Sequence, residues 1–344
     1  MKRTFLWTTA LFSLVLLASS PSPPTARAGP RTLVQSVASV GFTVSDMDRS
    51  LGFYRDVLTF TPVSDVEVDG AEYDRLYGIL GVRARIVRMR LGEQQLELTQ
   101  FLAPPDARPI PVPSHSNDLW FQHMAIVVRD MDEAWSRLRA RGVRSMSPRP
   151  QTIPSSNPVA GGIRALKFRD PDGHNLELLW FPEGKDRAGW NDRREGLFLG
   201  IDHTALTVGN TDGSLRFYRD LLGLSVAGGS LNRGVEQEWL DHIPGAQVRV
   251  TGLVPRGGPP GVECLEYERP GAGRSYPADS LPTDLWHWQT TLVVADVEAA
   301  AVALRPFVPF ISAGVAVLDD RPGEWPKRLL IRDPDGHALQ LVSP

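Results

Sequence analysis

The sequence predicts an α+β protein made of four repeats of one strand–helix–strand unit, arranged as two halves. Three observations predict it. The stretch "VGFTVSDMDRSLGFYRDVLTF" (Val40 to Phe60) returns as "TALTVGNTDGSLRFYRDLLGL" (Thr204 to Leu224). The stretch "FRDPDGHNLELLWFP" (Phe168 to Pro182) returns as "IRDPDGHALQLVSP" (Ile331 to Pro344). Two weaker echoes, "MAIVVRDMDEAWSRLRARGV" (Met124 to Val143) and "TTLVVADVEAAAVALRPFV" (Thr290 to Val308), bring the number of strand–helix starts to four.

Each start has the same grammar. An alternating β-branched strand leads to an Asp or Asn at a helix N-cap, namely Asp46, Asp130, Asn210 and Asp296, and apolar residues then follow at helical spacing. Leu51, Tyr54 and Leu58 make one face of the first helix, and Leu215, Tyr218 and Leu222 make that of the third. Further strand-like runs follow each helix, at 85–101, 164–181, 247–267 and 327–342. Asp-Pro-Asp-Gly fits a tight hairpin, because Pro presets φ and Gly is free to take φ > 0. His174 and His337, just after it, are expected to hydrogen-bond within the turn. Pro-rich stretches at 103–113 and 270–282 separate the units, and the most polar stretch, 182–196, lies at mid-chain and reads as a domain boundary.

The chain has 344 residues, room for two domains that each bury a core. Lys2 and Arg3 precede an apolar run from Phe5 to Ala18 that closes on Ala26-Arg27-Ala28, so residues 1–28 read as a secretory signal peptide. The run is short of the roughly 20 residues that span a bilayer, and an exported, periplasmic or extracellular protein without stable membrane insertion is expected. The net charge of −3, with no basic run, excludes nucleic acid as a partner. The single cysteine, Cys264, can form no internal disulfide and reads as a buried strand residue.

The four units, with "SDMDRSLGFYRDVL", "GNTDGSLRFYRDLLG" and "RDPDGH", resemble the vicinal oxygen chelate superfamily of glyoxalase I, bleomycin resistance proteins and extradiol dioxygenases. The resemblance covers nearly all of the chain beyond residue 28. It implies four βαβββ units pairing into two cup-shaped curled sheets, each with a divalent metal on its floor. The expected amino-terminal domain is 34–182 (units 34–102 and 119–182), followed by a linker at 183–197. The carboxy-terminal domain is 198–344 (units 198–269 and 284–344). In the family the first-strand ligand stands seven residues before the helix cap, and the last-strand ligand is the Glu of a "LEL"-like run. Carried onto this sequence, these positions are Ser39, Glu97, His123 and Glu177 in the first half, and His203, Glu263, Gln289 and Gln340 in the second.

One imidazole and two carboxylates suit Mn, Fe, Ni, Co or Zn, with Ser39 a poor fourth ligand. Glu97, His123 and Glu177 are therefore the expected metal set, with Glu97 and Glu177 as candidate catalytic carboxylates. Strand alternation supports Glu177 on its own: it shares a face with Leu179 and Phe181, where a carboxylate needs a partner. An arginine or a solvated rim is the alternative to a metal there. His203, Glu263, Gln289 and Gln340 make a second set with less charge, in which His203 and Glu263 could simply bond one another. His287, two residues before Gln289 on the same strand face, is its nearest competitor. Trp120, Phe121, Trp286 and Trp288 suit either stacking on a flat substrate or core packing.

The resemblance implies a metal-dependent enzyme acting on a small molecule that chelates through oxygen, a lyase or isomerase, in a monomer or homodimer. A non-catalytic binding or resistance protein is the alternative. An extradiol dioxygenase, needing two histidines and one glutamate on iron, is disfavoured, because the resemblance to that class fails at Ser39 in one half and at Gln289 and Gln340 in the other.

Overall fold

Each unit opens on a strand that runs straight into a capped helix, as the repeats require. The computed structural model describes residues 33–105, 107–186, 188–193, 195–319 and 325–344. The expected signal peptide lies outside the described residues. No helix among the described residues is long and apolar enough to cross a membrane.

The first unit comprises β1 (Val34–Thr43), α1 (Met47–Asp56), β2 (Thr61–Asp69), α2 (Ala71–Tyr77), β3 (Arg83–Leu91) and β4 (Gln94–Ala103). The second comprises β5 (Gln122–Val128), α3 (Met131–Ala140), the short β6 (Arg144–Ser145) and β7 (Gln151–Thr152), β8 (Arg164–Arg169) and β9 (Asn175–Trp180). In the third, β10 (Phe198–Thr207) leads to α4 (Thr211–Leu215), which continues as a π turn over Arg216–Leu221. β11 (Ser225–Arg233), α5 (Val235–Asp241), β12 (Gln247–Val254) and β13 (Gly261–Arg269) complete it. The fourth comprises β14 (Trp288–Val294), α6 (Val297–Leu304), β15 (Ala316–Val317), β16 (Lys327–Arg332) and β17 (Ala338–Ser343). All four expected caps are made: the side chains of Asp46, Asp130, Asn210 and Asp296 each accept a backbone N–H of the first helical turn.

The strands form two curled, mixed sheets. One runs β2-β3-β4-β1-β14-β17-β16-β15, and the other β11-β12-β13-β10-β5-β9-β8-β6, with β7 also on β8. The first unit thus shares a sheet with the fourth, and the second with the third. At each seam two opening strands pair antiparallel, β1 with β14 and β10 with β5, and parallel pairs flank them. β1 carries bulges between Val34 and Ser36 and between Val37 and Ser39, and β10 carries the matching pair between Phe198 and Gly200 and between Ile201 and His203. Bulges bend and twist a strand, which helps to curl both sheets at equivalent places.

Two apolar cores tie the sheets together. One joins Phe42 and Tyr54 of the first unit to Met124, Phe168 and Leu178 of the second; the other joins Leu206 and Tyr218 of the third to Leu292, Leu329 and Leu341 of the fourth. Helices therefore pack within each half of the chain, while strands pair across halves. Cys264 is buried in β13, as expected.

The twin Asp-Pro-Asp-Gly-His turns pin this arrangement. Asp170 Oδ1 accepts the N–H groups of Asp172, Gly173 and His174 at 2.9, 2.8 and 2.8 Å. Its Oδ2 accepts the Tyr54 hydroxyl at 3.0 Å and lies 2.8 Å from His174 Nδ1. His174 Nε2 in turn reaches Leu285 O at 2.7 Å, at the approach to the fourth unit. The second copy repeats the pattern with Asp333, Tyr218 (2.9 Å) and His337 (3.2 Å). Gly173 and Gly336 take φ of +98° and +107°, the freedom for which the turn needs glycine.

Asp170 and Asp333 are buried, so replacing either by Ala strands several donors, and a loss of about 2–4 kcal/mol in denaturant unfolding is expected. Burial opposes charge on both partners, but His174 holds the Asp170 carboxyl below its usual range, and Asp170 lifts His174 above its own. The carboxyl contribution is present above the unfolded value of about 3.9 and lost as pH falls through the depressed folded value. The imidazole contribution is complete below about 6.5 and lost as pH rises through the raised folded value. The stability penalty of His174→Gln should therefore shrink as unfolding is followed from about pH 6 into the alkaline range.

Candidate metal centre

Strand register decides which donors meet. In the sheet of the second and third units, His123 on β5 stands opposite Ala205 on β10, and Ala205 is beside Glu263 on β13. By the same pattern His203 on β10 stands opposite Ala125 on β5, beside Glu177 on β9. Two imidazoles and two carboxylates thus converge on one floor about a local two-fold relation.

One ligand atom from each of His123, Glu177 and His203 lies within 4.8 Å of the others, and all three residues are buried. His123 Nε2 is 3.0 Å from Glu177 Oε2, and His203 Nε2 is 3.3 Å from Glu263 Oε2. Neither contact has hydrogen-bond alignment: both His123 nitrogens and His203 Nε2 are buried without a hydrogen-bond partner among the described residues. Buried polar atoms left open in this way, on borderline and hard donors at this spacing, fit a divalent cation.

Burial pushes His123 down to about 4 and keeps it neutral, as a ligand must be. Burial alone would raise Glu177, but His123, Lys167 and His203 outweigh it and hold the carboxyl at about 2. Burial would lower His203, yet Glu263, then Asp202 and Glu177, lift it to about 9. A positive charge on this floor is thus favoured, whether it comes from a proton on His203 or from a cation.

A cavity of about 470 Å³ opens above this floor. Its walls are largely apolar, including Ile153, Leu179, Phe181, Val248 and Leu253, and Lys167 and Asp241 line it as a buried ion pair. Lys167 Nζ is 2.5 Å from Asp241 Oδ1, and Gln237 donates to Asp241 Oδ2 at 2.6 Å. Glu177, Leu179 and Phe181 all line this cavity, so the face that alternation assigns to them is the cup face.

The other sheet presents the same positions with different chemistry. Ser39 stands opposite Thr291, and Gly41 lies between Gln289 and Glu97, so Ser39, Glu97, Gln289 and Gln340 occupy this floor. Gln289 donates to Glu97 Oε1 at 3.1 Å, and Gln340 donates to Thr291 Oγ1 at 3.1 Å. Arg88, opposite Glu97 on β3, brings Nε to 2.9 Å from Glu97 Oε2. Burial would raise this carboxyl, but Arg88 and then Arg328 hold it below the usual range. A protein cation stands on Glu97 here. The bordering cavity of about 360 Å³ is lined by Ser39, Arg88, Glu97, Arg328 and Gln340 among others.

The eight expected positions thus all lie on cup floors, but not in the expected sets. Ser39 and Glu97 part from His123 and Glu177, because β1 pairs with β14 and not with β5; His203 and Glu263 part from Gln289 and Gln340 for the same reason. His287 is buried beside β14, and burial pushes it down to about 3. Trp120, Phe121, Trp286 and Trp288 are all buried: Trp120 and Trp286 donate to Ser114 and Ser280, and Trp288 packs on Phe42 and His174. Sequence reasoning passed over Lys167, Arg88 and Asp202. The first two carried a signal, a cation in a strand one partner away from a candidate carboxylate.

The fold and floor define a class: paired βαβββ units whose opening and closing strands supply metal-type donors to a cup. The family model described as Glyoxalase/Bleomycin resistance protein/Dioxygenase superfamily matches residues 36–178 and 200–341, and the chain belongs to that family. Glyoxalase I from Zea mays is similar in fold, with a TM-score of 0.57 at 17% identity over 90% of this chain and 92% of that one. A putative dioxygenase from Bacillus subtilis subsp. subtilis str. 168 gives 0.50 at 14% identity, over 91% and 86%. No curated protein matches the sequence.

Removing Arg88 leaves Glu97 charged, buried and short of its nearest cation. Arg88→Met is expected to cost about 2–4 kcal/mol in denaturant unfolding, and Arg88→Met with Glu97→Gln should recover a large part of it.

Proposed function

We propose that the cup of the second and third units binds one divalent cation on His123, Glu177 and His203, with Glu263 beside them, and that the protein is an enzyme acting there on a small molecule that chelates through oxygen. The observation that carries this reading is the convergence of those donors with their imidazole nitrogens open. A cation bound there supplies Lewis acidity to a substrate oxygen. The chain's own residues do the rest. Both carboxylates line the cavity; Glu177, with its side chain 8% exposed, is the more enclosed and serves as ligand, and Glu263, 27% exposed, is the one to take up and return a proton. The apolar walls exclude water and hold the substrate body, and the Lys167 ammonium adds positive charge near the floor. A lyase or isomerase is the reaction class this suits. The candidate role of Glu97 passes to Glu263, because Glu97 lies in the other cup against Arg88. Export, read from the first 28 residues, is part of this proposal.

The regrouping favours a second reading that grouping by halves had set aside. His123, His203 and Glu177 are two imidazoles and a carboxylate, the donor set used by non-haem iron oxygenases. Oxygen consumption with a catechol by the iron-loaded protein, set against none with the zinc- or nickel-loaded protein, would select it.

Elemental analysis of protein purified without chelator tests the common core. About one divalent ion per chain is expected, lost in His203→Ala and Glu177→Ala and kept in Glu97→Gln and Gln340→Ala. No ion after supplementation with Mn, Fe, Co, Ni and Zn in turn would overturn the reading.

A further inference from the structure

The four floor residues do not account for Asp202, which stands next to His203 and also lines the cavity. In a regular strand, neighbouring side chains point to opposite faces. Asp202 is the extra residue of the bulge between Ile201 and His203, and this departure brings both side chains to the cup. Asp202 Oδ2 lies 2.8 Å from His203 Nδ1, the nitrogen turned away from the floor. Its other oxygen accepts the indole N–H of Trp190 at 2.7 Å.

Trp190 comes from the mid-chain stretch that the sequence presents as a link between halves. Its side chain is completely buried against Val127 and Leu199, and the Arg193 guanidinium stacks on it at 4.0 Å. A β-carbon on Gly200 would lie 2.6 Å from the Trp190 ring, so glycine makes room for the indole on β10 itself. Asp186 caps the turn by accepting the N–H groups of Ala188 and Asn191 at 3.0 and 2.6 Å.

The other cup provides an internal comparison. β1 has the same bulge, and the residues at the positions of Asp202 and His203 are Ala38 and Ser39. Where the imidazole is missing, the carboxylate behind it is missing too. In the working cup the support is one-sided, since Nδ1 of His123 has no hydrogen-bond partner among the described residues.

From this chain of contacts we propose that the mid-chain link is part of the metal centre: Trp190 holds Asp202, and Asp202 orients His203 as a metal ligand. A carboxylate on Nδ1–H fixes the tautomer that turns Nε2 toward the floor and strengthens that nitrogen as a donor. Trp190 and Asp202 are positioning residues, acting through His203. The inference rests on the metal reading above.

The test is a Co²⁺ titration of the purified protein, followed by the visible absorption of the bound ion, for the unsubstituted chain, Trp190→Phe, Asp202→Asn, Asp202→Ala and Trp190→Phe with Asp202→Ala. Trp190→Phe keeps an aromatic ring at this position while deleting the donor along with part of the indole's volume, and thermal unfolding of each variant checks that it is folded. Asp202→Ala should weaken Co²⁺ about 10- to 100-fold and alter the absorption band. Asp202→Asn should fall between Asp202→Ala and the unsubstituted chain, and Trp190→Phe should weaken binding roughly threefold or more. Trp190→Phe should add nothing further once Asp202 is Ala, because its effect passes through that carboxylate. Equal affinity in Trp190→Phe and the unsubstituted chain, or an undiminished effect of Trp190→Phe on the Asp202→Ala background, would overturn the inference and leave the metal reading standing. No Co²⁺ binding by the unsubstituted chain would overturn both.

Discussion

The antiparallel pairing of opening strands, β10 with β5 and β1 with β14, is the constraint on which the site depends. A residue on one of these strands faces across the seam to a small residue beside the partner unit's last-strand position. The register thereby sets two first-strand and two last-strand side chains on one floor. A slip of one residue at the seam would turn one unit's pair to the face opposite the other unit's pair. The bulges in β1 and β10 and the cores shared within each half of the chain make such a slip costly.

The two cups are one geometry with two electrostatic solutions. In one, His123, Glu177, His203 and Glu263 leave nitrogens open and carboxylates crowded, an arrangement that a divalent ion would relieve. In the other, Ser39, Gln289 and Gln340 replace three of the strong donors, and Glu97 is met by Arg88 and Gln289 from the protein itself. A buried carboxylate without a counter-charge is expensive, so loss of the other donors leaves it in need of an internal cation. Both cups are completed by strands of a single chain.

Buried polar residues carry structural duties away from the floors as well. Asp170 and Asp333 each gather a tyrosine from the other unit of the same half, a histidine and three backbone N–H groups. The repeated "FYRD" and "RDPDGH" stretches are thus two ends of one contact, which explains their joint recurrence. The Lys167–Asp241 pair in the cup of the second and third units belongs to neither this scaffold nor the donor set. It is buried where it lines the apolar cavity.

Local pattern by itself determined the four units, their capped helices, the glycine-dependent hairpins and the faces of the strands. Each of these depends on neighbours a few residues apart: an Asx cap, a helical or two-residue period, a turn that only glycine accepts. Family resemblance pointed to all eight positions, because each is found within one local segment: the first-strand positions by counting back from a helix cap, the last-strand ones within a single closing strand. Only the tertiary structure decided which of them share a floor. The choice between β1 with β5 and β1 with β14 depends on long-range strand pairing, and nothing within either strand records its partner. The same holds for Asp202 and Trp190. A bulge is defined by two strands together, and the contact between a linker tryptophan and a strand aspartate exists only once the chain has folded back on itself.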